Sequence, residues 1–399
     1  MVNAYYRLYQ GVFKGVSFLL PWREPVLLEG KDSVLKLSKV IKNEGLKTVL
    51  VITDHTIASL GLMNGLLETL KSDGIKYLIY DKTIPNPTID NIEDALKMYK
   101  LNQCDSIIAF GGGSSMDCAK GVGARVARPN KSVAQMKGVL KVRKKIPPLF
   151  AIPTTAGTGS EATIAAVISN PATHEKYPIN DTSLIPHFAV LDPNLTVGLP
   201  PHITSTTGMD ALTHAVEAYI GRSNTRQTLQ LSKDAIQLIF SNVKKAYDDG
   251  TDIQARENML KASYYAGVSF TRAYVGYVHA IAHTLGGFYG VPHGLANAVI
   301  LPYVLDFYGE SVYKPLSELC DLVSLCDPSK TEKMKAETFI EAIRKLNYEM
   351  GIPQKIKGIQ DNDIPLMVKR ADQESNPLYP VPKILNKADF TNLYNMIKE

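Results

Sequence analysis

The chain of 399 residues is 45% hydrophobic and 21% charged with ordinary glycine and proline content, which excludes a disordered or fibrous protein and leads us to expect two domains. A net charge of +5 over this length does not argue for nucleic acid, and the densest basic run, Lys141 to Lys145, has no interleaved aromatics and reads as a solvated loop. Cys104, Cys118, Cys320 and Cys326 show neither metal-ligand nor disulfide-framework spacing, which suits free thiols in a reducing cytoplasm.

The N-terminal stretch "MVNAYYRLYQGVFKGVSFLLPW" is aromatic and apolar. It lacks the basic region and cleavage site of a signal peptide, and its apolar run is too short to span a bilayer, so no membrane association is expected. Tyr5, Tyr6, Tyr9, Phe13 and Phe18 are expected to pack onto the body or onto a second subunit. Thr48 to Asp54 and Asp105 to Phe110 are continuous apolar runs of the kind buried on both faces of a parallel sheet. Between them lie a helical pattern from about Ser59 to Lys71, a short strand ending at Tyr80, the turn-rich "KTIPNPT", and a helix through about Lys100. Pro148 to Pro153 reads as a later strand and His187 to Asp192 as the last. This alternation predicts a doubly wound α/β unit. Beyond "DPNLTVGLP" the periodicity is helical, so residues 1–198 are expected to form an α/β dinucleotide-binding domain with a parallel sheet, and 199–399 an all-helical metal-binding and substrate domain.

Two loops carry the nucleotide expectation. A strand runs into Gly111, Gly112 and Gly113, then Ser114, Ser115 and a helix, so backbone N–H groups at a helix start can approach a phosphate. The stretch is neither GxGxxG nor GxxxxGK[ST], which disfavours a nucleotide-hydrolysing P-loop. A second glycine-threonine loop, Pro153 to Thr163, also follows a strand, and two such loops at strand ends fit an extended dinucleotide better than one phosphate. Asp54 closes an earlier strand, where a carboxylate either accepts adenosine ribose hydroxyls, favouring NAD over NADP, or caps the following helix.

Asp210 and His214 stand four residues apart on an apolar helix, as do His279 and His283, with His293 after a glycine-rich turn. A buried carboxylate costs several kcal/mol unless compensated, and a divalent cation compensates it. His55, His174, His187 and His202 are scattered by comparison. One carboxylate with imidazoles and no thiolate accommodates Fe²⁺ or Zn²⁺.

The segments "GGGSSMDCAK", "AIPTTAGTGSEAT", "GMDALTHAVEAY" and "HAIAHTLGGFYGVPHG" together resemble the iron-containing (group III) alcohol dehydrogenases, related in fold to dehydroquinate synthase and glycerol dehydrogenase. The resemblance covers the chain from about Val26. It implies metal ligands Asp210, His214, His279 and His293, with His283 beside the ion as a candidate proton relay. It further implies Gly111 to Ser115 at the pyrophosphate, Thr154, Thr155 and Thr158 along the cofactor, and Asp54 at the position linked with NAD preference. The expected activity is hydride transfer between NAD(H) and a small primary alcohol or diol or the corresponding aldehyde, in a homodimer or higher homo-oligomer. A polyol or ω-hydroxy-acid dehydrogenase, a dehydroquinate synthase-like lyase and a non-catalytic NAD-binding protein are the alternatives. Arg272 and Thr284 depart from the asparagine and proline usual in the family, and Arg272 raises either a carboxylate-bearing substrate or a structural ion pair.

Overall fold

The apolar runs of the first half line up side by side in the computed structural model, which describes residues 2–171 and 175–399. Helix α1 (Val2–Ser17) opens the chain, followed by β1 (Val26–Glu29), α2 (Leu37–Asn43), β2 (Thr48–Ile52), α3 (His55–Ser59), α4 (Asn64–Ser72) and β3 (Lys76–Tyr80). Next come α5 (Ile89–Leu101), β4 (Ser106–Gly111), α6 (Gly113–Ala127), β5 (Gly138–Val139), β6 (Leu149–Pro153), β7 (Ala165–Asn170), β8 (Glu175–Asn180) and β9 (Phe188–Leu191). Six of these strands form a wholly parallel sheet in the order β1-β9-β6-β4-β2-β3.

Alternation along the central strands supplies two cores. Leu50, Ile52, Ile107 and Ala109 face Ile92, Leu96, Met116 and Val122 of α5 and α6. Val49, Val51, Ile108 and Phe110 face Leu37, Ile41, Leu66 and Leu70 of α2 and α4. Both faces are covered, which is why these strands carry no polar alternation. The helical pattern expected from Ser59 to Lys71 is instead two short helices, α3 and α4, parted where Gly61 turns with φ of 71°. A second, three-stranded sheet, β5-β8-β7, with β7 and β8 antiparallel, went unforeseen. Pro178 lies within β8 opposite Val167, and a proline in a run argues against a strand. His174 lies outside the described residues.

Past β9 the described chain is helical: α7 (Pro201–Ile220), α8 (Arg226–Asp248), α9 (Ile253–Ala273), α10 (Tyr277–Tyr289), α11 (His293–Tyr308), α12 (Tyr313–Leu322), α13 (Glu332–Glu349), α14 (Ile364–Ser375) and α15 (Lys387–Ile397). Pro201 opens α7 at a position where its missing N–H costs nothing. From Gly208 to Ile220 every residue of α7 is buried, enclosed by α8, α9 and α11. None of the described helices is long and apolar enough to cross a membrane.

The residues partition into one unit from Pro21 to Gly198 and another from Leu199 to Glu399, joined by the segment ending at Leu20. The N-terminal helix therefore groups with the helices, not with the α/β residues to which its sequence position assigns it. Its polar face explains the difference. The Arg7 guanidinium donates to the carbonyls of Val381 and Pro382 at 2.6 and 2.7 Å, the Gln10 amide donates to Tyr379 O at 2.7 Å, and Phe13 meets the Tyr274 ring edge-on at 5.6 Å. Tyr5, Leu8, Val12, Val16, Phe18 and Leu19 stay exposed.

Candidate active site

In the α/β unit the two glycine loops lie against each other. A methyl group added at Gly113 would come within 2.9 Å of Thr158 Cγ2, so something there would have to shift, and one at Gly112 would stand 3.4 Å from Thr155 Oγ1, so the two loops are in close contact. Thr154 N donates to Gly111 O at 3.1 Å, binding the loops through their backbones. Helix α6 starts at Gly112 without a side-chain cap, which leaves its first N–H groups available to an anion. Ser114 Oγ accepts from Asn86 N, and Ser115 is buried. Thr154 is buried too, whereas Thr155 and Thr158 are half-buried beside the glycines.

Asp54 caps α3: its Oδ1 accepts from Ile57 N at 3.0 Å. Its Oδ2 is 3.7 Å from where a Gly111 Cβ would stand, at the mouth of the glycine loop. Both roles weighed for Asp54 are thus geometrically compatible.

Behind the second loop lies Lys120, fully buried, whose Nζ donates to Ser160 O, Ser160 Oγ, Thr163 O, Thr163 Oγ1 and Ala165 O. Burial lowers its pKa to about 8 against the opposing pull of Asp117 and Glu161. Sequence reading gave it no part, yet it ties α6 to the threonine loop.

In the helical unit, Asp210 and His214 come from α7, His279 from α10 and His293 from the first residue of α11. One ligand atom from each lies within 4.8 Å of the others. Asp210, His214 and His279 are buried, and His293 is half-buried. His214 stacks between Phe270 and His279 at ring distances of 4.2 and 4.5 Å, which holds its plane.

Two residues that sequence reading missed complete the arrangement. Glu217 Oε2 accepts from His279 Nδ1–H at 2.6 Å and from Gly276 N at 2.8 Å, while its Oε1 accepts from Val278 N at 2.8 Å. A carboxylate can only accept, so His279 carries its hydrogen on Nδ1 and turns the Nε2 lone pair to the cluster. The Asn297 amide nitrogen stands 2.6 Å from Asp210 Oδ1, 3.2 Å from His279 Nε2 and 3.1 Å from His293 Nε2. Three acceptors converge on a group with two hydrogens, so the spot is rich in lone pairs and poor in donors. That is the chemistry of a divalent cation site, and these residues fit one.

His283 stands outside that set. Its ring lies 5.2 Å from that of His293, and its Nδ1–H donates to Glu374 Oε1 at 2.6 Å. Glu374 also accepts from the Tyr379 hydroxyl at 2.8 Å. Burial alone would raise the Glu374 carboxyl, but its electrostatic interaction with His283 and the hydrogen bonds from His283 and Tyr379 outweigh it and hold the group below its ordinary range. Arg272 donates to Gln227 Oε1 at 2.7 Å, bridging α9 to α8.

Comparison with known proteins assigns this arrangement. Residues 25–193 match the family described as iron-containing alcohol dehydrogenase, and residues 204–397 match the C-terminal part of the Fe-containing alcohol dehydrogenase family. The chain belongs to the iron-containing alcohol dehydrogenases. Among its relatives in that family, alcohol dehydrogenase 4 of Schizosaccharomyces pombe is 39% identical over 88% of this chain and 84% of its own length. The 1,3-propanediol dehydrogenase of Klebsiella pneumoniae is 36% identical over 93% of this chain and 94% of its own length. The solved alcohol dehydrogenase from Oenococcus oeni superposes with a TM-score of 0.91 at 33% identity, covering 95% of this chain and all, 100%, of that one. As an iron-containing alcohol dehydrogenase the chain is an enzyme, an NAD- and divalent-metal-dependent oxidoreductase acting on small alcohols, aldehydes or diols.

Proposed function

We propose that this dehydrogenase interconverts a small primary alcohol or diol and the corresponding aldehyde, with NAD(H) as the hydride carrier. The convergence of Asp210, His214, His279 and His293 within 4.8 Å carries the proposal. Relatives named alcohol dehydrogenase 4 and 1,3-propanediol dehydrogenase support the substrate class. Those four residues would hold the ion, with Fe²⁺ favoured by the family and Zn²⁺ equally suited to the donor set.

A bound ion would supply a Lewis acid for the substrate oxygen, and bound NAD⁺ a hydride acceptor. The remaining work belongs to the chain. Gly111, Gly112, Gly113, Ser114 and Ser115 present the α6 N-terminus to the pyrophosphate, with Thr154, Thr155 and Thr158 shaping the adjoining loop. Asp54 accepts ribose hydroxyls through the oxygen not used in capping and repels a 2′-phosphate, which favours NAD over NADP. His283, with Nε2 as its lone-pair nitrogen, takes the alcohol proton and passes it towards solvent. The exposed apolar residues of α1 support a homo-oligomer as the working form.

The test is NADH formation by metal-stripped protein, with Fe²⁺ or Zn²⁺ restored separately, over ethanol, 1,2-propanediol, 1,3-propanediol, glycerol and 4-hydroxybutyrate. Metal-dependent turnover of an alcohol or propanediol is expected. No turnover on any of them, with NAD and metal both shown to bind, would overturn the substrate assignment.

A further inference from the structure

The polar face of the N-terminal helix and the segment after α14 both lead to His283. The Glu374 carboxylate, at the end of α14, accepts the His283 Nδ1–H at 2.6 Å and the Tyr379 hydroxyl at 2.8 Å. The stretch that supplies Tyr379 is gripped by α1: Gln10 donates to the carbonyls of Pro377 and Tyr379 at 3.2 and 2.7 Å, and Arg7 to those of Val381 and Pro382. Gln10 itself is buried, and Arg7 Nη1 also donates to its Oε1 at 2.9 Å, so the two side chains brace each other. Two side chains of α1 thus hold four carbonyls of the segment that carries Tyr379.

A histidine without such a partner can carry its hydrogen on either nitrogen. With Glu374 accepting from Nδ1, the Nε2 lone pair of His283 is fixed on a ring laid parallel, within 17°, to that of His293. We propose that Glu374 is a positioning residue that sets the tautomer and orientation of His283, and that α1 is the brace that keeps Glu374 and Tyr379 in place. The inference deepens the proposed reaction and rests on His283 serving it as proton relay. It also gives the N-terminal helix a task inside its own unit.

The test uses Zn²⁺-loaded full-length protein labelled with ¹⁵N-histidine, with the His283 signal assigned by its loss in His283→Gln. Long-range ¹H–¹⁵N spectra report the tautomer, alongside kcat, KM for 1,3-propanediol and bound zinc. The wild-type ring is expected as the Nδ1–H form. Glu374→Ala is expected to lose that signature and to lower kcat about 10- to 100-fold, with KM and zinc content held. Glu374→Gln, whose amide oxygen still accepts, is expected to retain the tautomer and recover most of the rate. The double variant Arg7→Ala/Gln10→Ala is expected to move the same readouts by a smaller factor, and it carries the test if Glu374→Ala does not fold. An unchanged tautomer in Glu374→Ala, or in the double variant where it carries the test, or zinc lost in proportion to kcat, would overturn the proposal. Wild-type protein that turns over none of the alcohols would instead remove the proposed function, while the tautomer comparison would still decide the role of Glu374.

Discussion

Asp210, His214 and Glu217 occupy one stripe of α7, and all three are buried, but only the first two carried a signal in the sequence. The pair was legible because a carboxylate and an imidazole on an apolar helix demand compensation. Glu217 sits one turn beyond His214 and Asn297 one turn beyond His293, a spacing that has meaning only once the neighbouring histidines are known to converge, whereas Glu374 lies far along the chain from His283 and left no periodic trace. Glu217→Gln tests how far the second carboxylate governs the site. The glutamine amide would set an N–H against one of three donors now accepted by the carboxylate. Metal affinity is expected to fall by about 10- to 100-fold, read by chelator competition. An unchanged affinity would mean that His279 needs no partner. In the α/β unit, His187 Nδ1 accepts from Leu149 N at 3.1 Å, and burial, with the charges of Arg23 and Lys145, pushes its pKa down to about 4. A depressed imidazole contributes stability that is present above its unfolded value of about 6.5 and is lost as the pH falls through the folded value. The denaturation midpoint of the protein should therefore drop between those limits, and His187→Gln should flatten that slope. An identical slope in the variant would assign the acid sensitivity to other groups.

Elements were legible where burial was complete. The strands β2, β4, β6 and β9 have both faces covered, so their sequences are continuous apolar runs; β1, an edge strand with exposed ends, and β8, interrupted by Pro178, were not. What sequence spacing could not supply is how closely α7 and α11 approach. Gly294, the second residue of α11, decides it: a Cβ there would lie 2.4 Å from Thr206 O and 3.4 Å from Asp210 Cβ. The first of these is a backbone oxygen, which cannot swing aside as a flexible side chain would. Gly294→Ala should therefore push the start of α11 off α7 and carry His293 away from Asp210, now separated from it by 3.8 Å between Nε2 and Oδ1. Overpacking of this kind costs typically about 1–3 kcal/mol. Bound metal is expected to fall at least as far as in Glu217→Gln, with NAD affinity unaffected because the α/β unit is untouched. A variant that keeps its full metal content would show that α11 accommodates the methyl by sliding.

At the scale of the molecule, two units with separate cores meet different ligands, and the division was legible because the hydrophobic period changes from strand to helix after β9. The placement of α1 was not, since its partners are carbonyls more than 360 positions away and a backbone carbonyl has no sequence identity to read. The helical unit carries the greater debt to its cofactor. The residues of its candidate metal cluster come from α7, α10 and α11, so an ion held there would link three helices and relieve the lone-pair crowding that Asn297 alone cannot satisfy. An ion that binds only the folded state at 100 times its Kd adds about 2.7 kcal/mol. Stripping the metal should lower the unfolding transition of the helical residues and leave NAD binding by the α/β unit in place, since the glycine and threonine loops draw their order from Lys120 and from each other. Calorimetry with and without chelator, followed by NAD titration of the stripped protein, separates the two effects. Equal transitions after verified metal removal would mean that Asn297 and the stacked imidazoles already hold the three helices, and that the ion serves the chemistry without serving the fold.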